Sequence, residues 1–332
     1  MGSYASRMRV RRIDEATWRP SGELAGVDSA SVTRSVAKDA PLMQSGDMDA
    51  SGVVGEGYYA IDMVEDTGNV HAIATLLFAP DGTEWSHRSW GGSLAGRSVL
   101  TPAAERRTRP GEYAPKGAQG AALCARMLRE SIVAPVVVEG DFTLGEHVVF
   151  DLGGSYLDAV LSVLDVGGFC MQVAGDGTVT IRELPTEPAL VINTANRGLL
   201  MPKITRRAPI SDVPNVLYVY DGDQEAVAKN EDPTSPTSIQ ARGRRIEQVE
   251  ENPTRKEGET LQQYADRRLA ELSDVYETYD VEHEWVDGLL PYSIVRVNLP
   301  EAGIDGDFRV MDQDIECGRG IKVGATWGRR AL

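Results

Sequence analysis

A serine preceded by two glycines is the residue in this sequence that comes closest to a nucleophile motif. Residues 91 to 95 read Gly-Gly-Ser-Leu-Ala. A hydrolase nucleophile elbow requires G-x-S-x-G between a strand and a helix, because that tight turn exposes the serine hydroxyl. Here Ala95 replaces the last glycine, and no helix pattern follows. We therefore interpret the segment as a flexible loop and not as a catalytic site.

An acidic run near the C-terminus, Asp312 to Gly318, is similar to the start of a calcium-binding loop. Its glycine stands one place too late for the sharp turn of such a loop. Val323 occupies the position where a bidentate glutamate would complete the site. We expect these carboxylates on the solvated side of a β-turn, with no metal bound.

The four histidines show no metal-ligating spacing. None stands in an H-E-x-x-H motif, and Glu282-His283-Glu284 alternates within a predicted strand, which directs both acids away from the imidazole. The histidines are His71, His87, His147 and His283. The sequence also contains neither a P-loop nor a dinucleotide fingerprint. We predict no catalytic, cofactor-binding or metal-ligating residues, and therefore a protein that is not an enzyme.

The net charge argues against a protein that binds nucleic acid tightly. The 332 residues carry a formal net charge of −16, whereas phosphate binding needs a basic footprint. Arg206-Arg207 and the cluster Arg242 to Arg245 lack neighbouring aromatic residues for base stacking. We interpret these arginines as intersubunit ion pairs or solvated charges. Acidic walls would still let DNA slide past without adhering, although ordinary solubility explains the charge equally well.

The cysteines and the hydropathy pattern indicate the compartment in which the protein is made. Cys124, Cys170 and Cys317 are odd in number and widely spaced, which predicts neither disulfides nor a zinc site. No apolar stretch approaches the roughly 18 residues of a membrane span. The basic segment Met1 to Arg12 has no apolar core behind it, so we expect no secretory signal. The protein is expected to be made in a reducing compartment.

The patterning predicts a β-rich α+β fold in three parts, the first being a β domain over residues 1–115. Strands are predicted around Val10 to Ile13, at Ala30 to Val36, and in a hairpin of Tyr58 to Val64 with Val70 to Phe78. The Ser- and Gly-rich stretches read as turns or long loops. They are residues 20–22, 44–57 and 91–113.

A small α+β unit is predicted over residues 116–200. Helices are expected near 120–132 and 155–166, the second with Ser155 as N-cap and Asp158 completing a capping box. A hairpin over 169–183 follows, turning at Asp176-Gly177.

Residues 201–332 are predicted to form a second β domain that contains one helix at 260–273. Thr260 and Gln263 have the identities of a capping box at the start of that helix. The predicted strands are residues 215–220, 282–286, 294–299, 308–311 and 321–327.

From the second helix onward, the order of these motifs resembles bacteriophage tail hub proteins. The helix Tyr156 to Leu164, Gly167-Gly168-Phe169 and the Asp176-Gly177 hairpin are similar to the middle of that family. Further similar segments follow in the same order. They are Asp212 to Val219, Ser235 to Arg244, the helix Thr260 to Ser273, and Val295 to Val297 after Pro291-Tyr292. Tyr292-Ser293-Ile294 departs from the family's Gly-Asp-x at this turn, and the N-terminal third is similar only loosely.

This resemblance implies two domains like the β-barrel or sandwich of the tail tube, with the helix-hairpin unit between them. Three copies would then form a ring that presents six such domains and joins a sixfold tube to a threefold tip. The implied location is the virion tail, after assembly in the host cytoplasm. The implied partners are two further copies, distal tail and tube proteins, the tape-measure protein, and tip or fibre proteins. DNA would pass through the channel without specific binding.

Three other functions compete with this hypothesis. A tail-associated cell-wall hydrolase would need a catalytic constellation that the sequence does not show. The hub of a contractile injection or secretion system would share the fold and differ in its partners. A carbohydrate-binding module is disfavoured because only 6% of the residues are aromatic and available to stack on sugars.

Overall fold

The computed structural model describes residues 6–36, 40–51, 54–80, 84–86, 89–207, 213–256, 258–273, 275–318 and 320–330. Strands dominate this part of the chain, and helices are few, so the β-rich α+β class is confirmed.

The strands are β1 (Ser6–Asp14), β2 (Arg19–Leu24), β3 (Val27–Ser35), β4 (Gln44–Ser51), β5 (Gly57–Glu65), β6 (Val70–Pro80), β7 (Glu84–Ser86), β8 (Ser89–Ser98), β9 (Tyr113–Ala114), β10 (Val136–Glu139), β11 (Val148–Val149), β12 (Phe169–Val173), β13 (Val179–Glu183), β14 (Pro188–Asn193), β15 (Leu200–Arg207), β16 (Val216–Asp221), β17 (Gln224–Lys229), β18 (Glu247–Glu251), β19 (Val275–His283), β20 (Ile294–Leu299), β21 (Ile304–Cys317) and β22 (Ile321–Arg330). The α-helices are α1 (Thr101–Glu105), α2 (Gly120–Arg129), α3 (Tyr156–Gly167), α4 (Ile239–Arg242) and α5 (Leu261–Ser273).

One large sheet runs through the molecule and joins its two ends. Its strands follow the order β15-β19-β22-β21-β3-β4-β8-β6-β5-β1-β2, with β7, β14 and β20 attached beside this path. The long strand β21 makes the connection, because Asp312 to Cys317 pair antiparallel with β3 while β22 runs along its other edge. The N-terminal and C-terminal strands therefore share one hydrogen-bonded sheet.

Two apolar cores lie against the buried face of this sheet. The N-terminal β core gathers side chains such as Val32, Ile61 and Phe78, together with Ile315 from β21. The C-terminal β core gathers residues such as Val297, Phe308 and Trp327. A register shift between Val310 and Asp312 separates the two parts of β21. Such a bulge bends its strand, which lets one strand serve two cores.

Several segments expected to be loops are strands. β8 covers residues 91–98 of the predicted loop 91–113 and pairs with both β4 and β6. Gly96 is required there, since a Cβ would approach the Phe78 ring to 2.6 Å. β4 lies in the stretch 44–57 and alternates strictly between buried and exposed residues, while β2 covers residues 20–22. These interpretations were wrong because the close packing of the sheet selects the small residues that also favour turns.

A first α+β unit, residues 99–183, packs onto one end of the sheet. It has its own three-stranded sheet β10-β13-β12 and an apolar core built around α2 and α3. The capping box of Ser155 and Asp158 is present, and α3 ends at the left-handed Gly168. The hairpin turn docks directly on β6, where a Cβ on Gly175 would lie 1.9 Å from the Ala72 carbonyl oxygen.

A second α+β unit, residues 213–273, was not expected from the sequence. Its sheet β17-β16-β18 is separate from the large sheet, and α5 covers one face of it. Leu217, Val219, Ala265 and Leu269 belong to its small apolar core. The strand order of the large sheet is an open path, and no closed barrel is formed by the described strands. The domain limits at 115 and 200 stay a prediction.

Candidate functional site

The exposed face of the large sheet is the candidate functional site, and we call it the acidic face. It crosses β19, β22, β21, β3, β4 and β8 in register, where Glu316 pairs with Ser31 and Ser31 pairs with Asp47. Seven carboxylates lie on it. They are Asp47, Asp49, Asp280, Glu282, Asp312, Asp314 and Glu316. Successive residues of a strand point to opposite faces, so the apolar partners of these acids form the two β cores.

Hydroxyl groups connect the carboxylates of the acidic face across the strands. Thr33 Oγ1 donates to Asp314 Oδ1 at 3.0 Å, and Ser29 Oγ donates to Asp49 Oδ2 at 3.3 Å. A shallow groove of about 660 Å³ lies among Ser29, Asp47 and Glu316. Lys322 pairs in register with Glu316, and Arg207 forms an ion pair with Asp280, so these two cations leave most of the seven carboxylates unbalanced. The face can repel phosphates, and it offers no large side chain on which a base could stack.

A buried arginine holds the two β cores together. Arg34 is 1% exposed, and its Nη1 donates to Gln313 Oε1 at 3.2 Å while Nη2 donates to the Ile73 carbonyl. Gln313 in turn donates to the Leu289 carbonyl at 3.1 Å. The guanidinium also lies 5.7 Å from the centre of the Trp285 ring. Burial lowers the pKa of Arg34 to about 10, which leaves it charged at neutral pH.

His71 makes a second contact across the same joint. Its Nδ1 lies 2.8 Å from Asp287, and its Nε2 lies 3.0 Å from Glu65. Burial opposes protonation, but hydrogen bonds with both carboxylates raise the pKa of His71 above its ordinary value. Hydrogen bonds from His71, Thr67 and Asn69 lower the pKa of Glu65 to about 2. The contacts of Arg34 and of His71 fix the position of one β core relative to the other. They therefore keep the acidic face continuous.

A buried carboxylate lies within the C-terminal β core. Glu277 is 1% exposed and accepts hydrogen bonds from Tyr279 Oη at 2.8 Å and from Arg329 Nη1 at 3.2 Å. Arg206 pairs with it as well. Although burial raises it, the pKa of Glu277 is lowered overall by these three donors. The group is fully satisfied, so we assign it to structure and not to catalysis.

The structure separates the residues that sequence reasoning examined for chemistry. Ser93 lies on β8 opposite Asp49, and no histidine lines the groove around it among the residues described. Residues 312–317 of this run belong to strand β21 instead of forming the expected turn, so that expectation was wrong. His283 is buried between exposed Glu282 and Glu284, as the alternation predicted.

The remaining histidines and the cysteines stay apart. His147 packs against the Tyr113 ring, whereas His87 and the motif residue Asp212 lie outside the described residues. All three cysteines are free and buried, and burial raises the pKa of Cys317 to about 12. Within the described ranges, no group of three His, Cys, Asp or Glu could hold a metal ion. No described helix is both long and apolar enough to span a membrane.

The two basic clusters have different surroundings. Arg206 and Arg207 pair within the chain, with Glu277 and Asp280 respectively. Arg242 donates to the Val213 carbonyl at 2.7 Å, while Arg244 and Arg245 are exposed. Sequence reasoning missed Arg34, Glu277 and the acidic face, and only the strand alternation of Asp312, Asp314 and Glu316 could have indicated that face.

Comparison with known proteins identifies the fold. No protein-family model and no curated protein matches the chain. Among solved structures, a tail protein from Neisseria meningitidis MC58 is similar over 98% of this chain and 97% of its own, with a TM-score of 0.70 and 16% identity. The 43 kDa tail protein of prophage MuSo2 from Shewanella oneidensis gives a TM-score of 0.71 at 11% identity, with 98% of each chain covered.

A third similar structure is E. coli c3393, a type VI secretion component described as structurally similar to the bacteriophage T4 tail proteins gp27 and gp5. Its TM-score is 0.51 at 10% identity, over 92% of this chain and 76% of that one. The predicted resemblance to tail hub proteins is thus confirmed at the level of the fold. This chain has the fold of phage and prophage tail proteins.

Proposed function

We propose that this protein is a non-enzymatic hub or tip component of a phage tail, in which three copies close a ring. The observation that carries the proposal is one large sheet over two apolar cores, a doubled arrangement within each copy. Three copies would present six such β cores, which can meet a sixfold tube on one side and a threefold tip on the other. The fold likeness to tail proteins over nearly the full chain supports the proposal.

In this proposal the acidic face lines a channel for DNA. Its carboxylates would repel the phosphate backbone, so DNA could pass without being held. The small side chains of β3, β4 and β8 leave the passage unobstructed. The ring would act in the virion tail and contact tube proteins, the tape-measure protein and tip or fibre proteins, after assembly in the host cytoplasm.

The mass of the purified protein, together with electron-microscope images of its assembly, tests the ring. A closed ring of three with a central opening is the expected result. A monomer at every concentration, or a ring whose acidic face lies outside, would contradict the proposal.

Charge reversal tests the channel separately. Asp47→Lys, Asp314→Lys and Glu316→Lys together should make the ring retain duplex DNA in a gel-shift assay at about 0.1 M salt, where charges interact over about 10 Å. The wild type should not retain it. Three exposed acids elsewhere, Glu130, Glu187 and Glu301, changed to lysine provide a control with the same net charge. Equal DNA retention by both variants would remove the channel from the proposal.

The hub of a contractile injection or secretion system is the second candidate, favoured by the likeness to the type VI component. It predicts the same ring and differs in the partner, which copurification with neighbouring gene products distinguishes. A cell-wall hydrolase is the remaining alternative. Cleavage of host peptidoglycan in a zymogram would favour it and contradict the non-enzymatic proposal.

A further inference from the structure

The second α+β unit has one sheet face that is partly open, with Tyr220 of β16 and Val249 of β18 exposed. Helix α5 packs on the other face, which contains Ala226 and Ala228. On the open face, Tyr218 pairs with Val227 and with Val249, the latter 58% exposed. An exposed apolar patch with a polar rim is the kind of surface that another protein can cover.

Carboxylates border this patch at one end of the strands. Tyr220 is 37% exposed and stands between Glu225 of β17 and Glu251 of β18 in direct register. Its hydroxyl lies 3.5 Å from Glu225 Oε1. We call Tyr218, Tyr220, Glu225, Val249 and Glu251 the tyrosine–glutamate face. An aromatic ring between two carboxylates is suited to a guanidinium, which stacks on the ring and pairs with the acids.

The opposite end of the same unit carries such guanidinium groups on a rigid turn. Helix α4 ends at the left-handed Gly243, and Arg244 and Arg245 follow it, both exposed. The side chain of Asn215, which is fully buried, donates to the Arg244 carbonyl at 3.0 Å and accepts from Ile246 N at 2.7 Å. The turn is therefore held in place before any partner arrives, which reduces the ordering cost of binding.

We propose that Arg244 and Arg245 of one copy dock on the tyrosine–glutamate face of the next copy, so that the second α+β units join the subunits head to tail. This inference rests on the proposed ring and names one of its contacts. Within one chain Arg245 does not reach Glu251, because the two residues are six positions apart along an extended segment, about 20 Å at the usual rise. A contact between two different surfaces is the kind that closes rings.

Charge makes this contact specific. Copies with a net charge of −16 repel one another, so a stable contact needs local opposite charges. The basic turn and the acidic rim supply them, while Tyr218 and Val249 supply apolar area. Complementary charges of this kind also fix the register between subunits.

A charge swap in the full-length protein tests the contact. Arg244→Glu with Arg245→Glu should raise the dissociation constant of the assembly by about tenfold or more, since like charges then face each other. Glu225→Lys with Glu251→Lys should do the same. The quadruple variant carries all four changes, keeps the wild-type net charge, and should regain assembly. Arg109→Glu with Lys116→Glu, two exposed sites in the first α+β unit, is the control for net charge and should assemble as the wild type does.

A designed disulfide tests the geometry independently. The native cysteines are buried, so Glu225→Cys with Arg245→Cys adds the accessible thiols. Oxidation should yield covalent dimers and trimers on a denaturing gel, and either single cysteine variant should not give the trimer. Rings that survive both charge reversals and form no cross-link would overturn this inference while leaving the proposed hub intact. A wild type that never associates would overturn the ring and this contact together.

Discussion

The two α+β units are of similar type but are held together by different forces. The first unit buries a large apolar core around α2 and α3, with Leu128, Leu157 and Val160 fully inaccessible. The second buries a much smaller core and surrounds α5 with ion pairs. Arg267 binds Glu259 at 2.8 Å, and Arg268 approaches Glu250 at 3.3 Å.

This difference shows how one chain can combine a rigid part with an adjustable one. Apolar burial is insensitive to salt and to moderate changes of pH, whereas ion pairs respond to both. The first unit docks its hairpin on the large sheet, where Thr75 Oγ1 donates to the Gly175 carbonyl at 3.0 Å. The second unit has a sheet of its own and displays a partly open face. We expect the second unit to open first under stress.

The largest effect should come from shortening a core side chain in the first unit. Leu157→Ala should lower the free energy of unfolding by about 2–5 kcal/mol, because apolar burial is lost and a cavity is left behind. Leu269→Ala in the second unit should fall at the lower end of that range, because its core is smaller and relaxes more easily. Hydrogen exchange measured on peptides from each unit of the full chain gives both losses. Equal losses of unfolding free energy in the two units would contradict the expected difference between their cores.

Detaching the hairpin should have the next largest effect. Any Cβ at position 175 would collide with the Ala72 carbonyl, a backbone atom that cannot turn aside. Gly175→Ala should therefore cost about 1–3 kcal/mol and loosen the first unit from β6. Gly22→Ala, where no atom lies within 4 Å, is the matched control and should change little. Thermal unfolding compares the two, and an unaffected midpoint for Gly175→Ala would contradict direct docking.

Ion-pair removal should distinguish the units further. Arg268 is 13% exposed in its side chain and faces Glu250, Glu271 and Asp165. Arg268→Met should lower the free energy of unfolding of the second unit by about 1 kcal/mol, the upper end of the range for partly exposed ion pairs. In 1 M salt this loss should be smaller, because salt screens the ion pairs of the wild type. Arg182→Met in the first unit breaks an exposed pair with Glu139 and should cost close to nothing. Hydrogen exchange at low and high salt measures both, and a salt-independent loss at Arg268 would contradict the interpretation.

Acidification should give the smallest effect. Burial raises the pKa of Glu259, but its bonds with Arg267 and the Lys256 amide lower it overall. A carboxylate with a depressed folded pKa stabilises above its unfolded value of about 4.3 and loses that stabilisation as pH falls through the folded pKa. The part of the loss that comes from Glu259 should be under about 1 kcal/mol and should appear in the second unit. Exchange measured from pH 6 to pH 3 tests it, with Glu259→Gln expected to remove this part of the loss.

Local patterns were sufficient for the three longer helices, α2, α3 and α5, and for the hairpins β5–β6 and β12–β13. Ser155 and Asp158 begin α3 through a capping box, and Gly168 ends it, because those contacts span only a few residues. The helix predicted at 260–273 is α5, from Leu261 to Ser273. The strand Ile294–Leu299 coincides with its predicted range. Each of these depends on periodicity and end signals that the chain carries in sequence order.

Strands built from small residues escaped prediction. Residues 44–51 are rich in Ser, Gly and Asp, and residues 89–98 are rich in Ser and Gly, all of which favour turns in isolation. Their neighbours decide otherwise, since Gly46 and Gly96 lie where a Cβ would press on the Leu76 and Phe78 side chains. The pairing that makes them strands comes from residues far away in the chain.

The amino-acid sequence by itself determined the β-rich fold class, the capped helices and the excess of acid, because composition and short-range spacing carry that information. Tertiary structure alone decided that β21 joins two cores in one sheet, that Arg34 meets Ile73 and Gln313, and that seven scattered carboxylates share one face. The reason is physical. Strand register between distant segments fixes which side chains become neighbours, and no local pattern encodes that register.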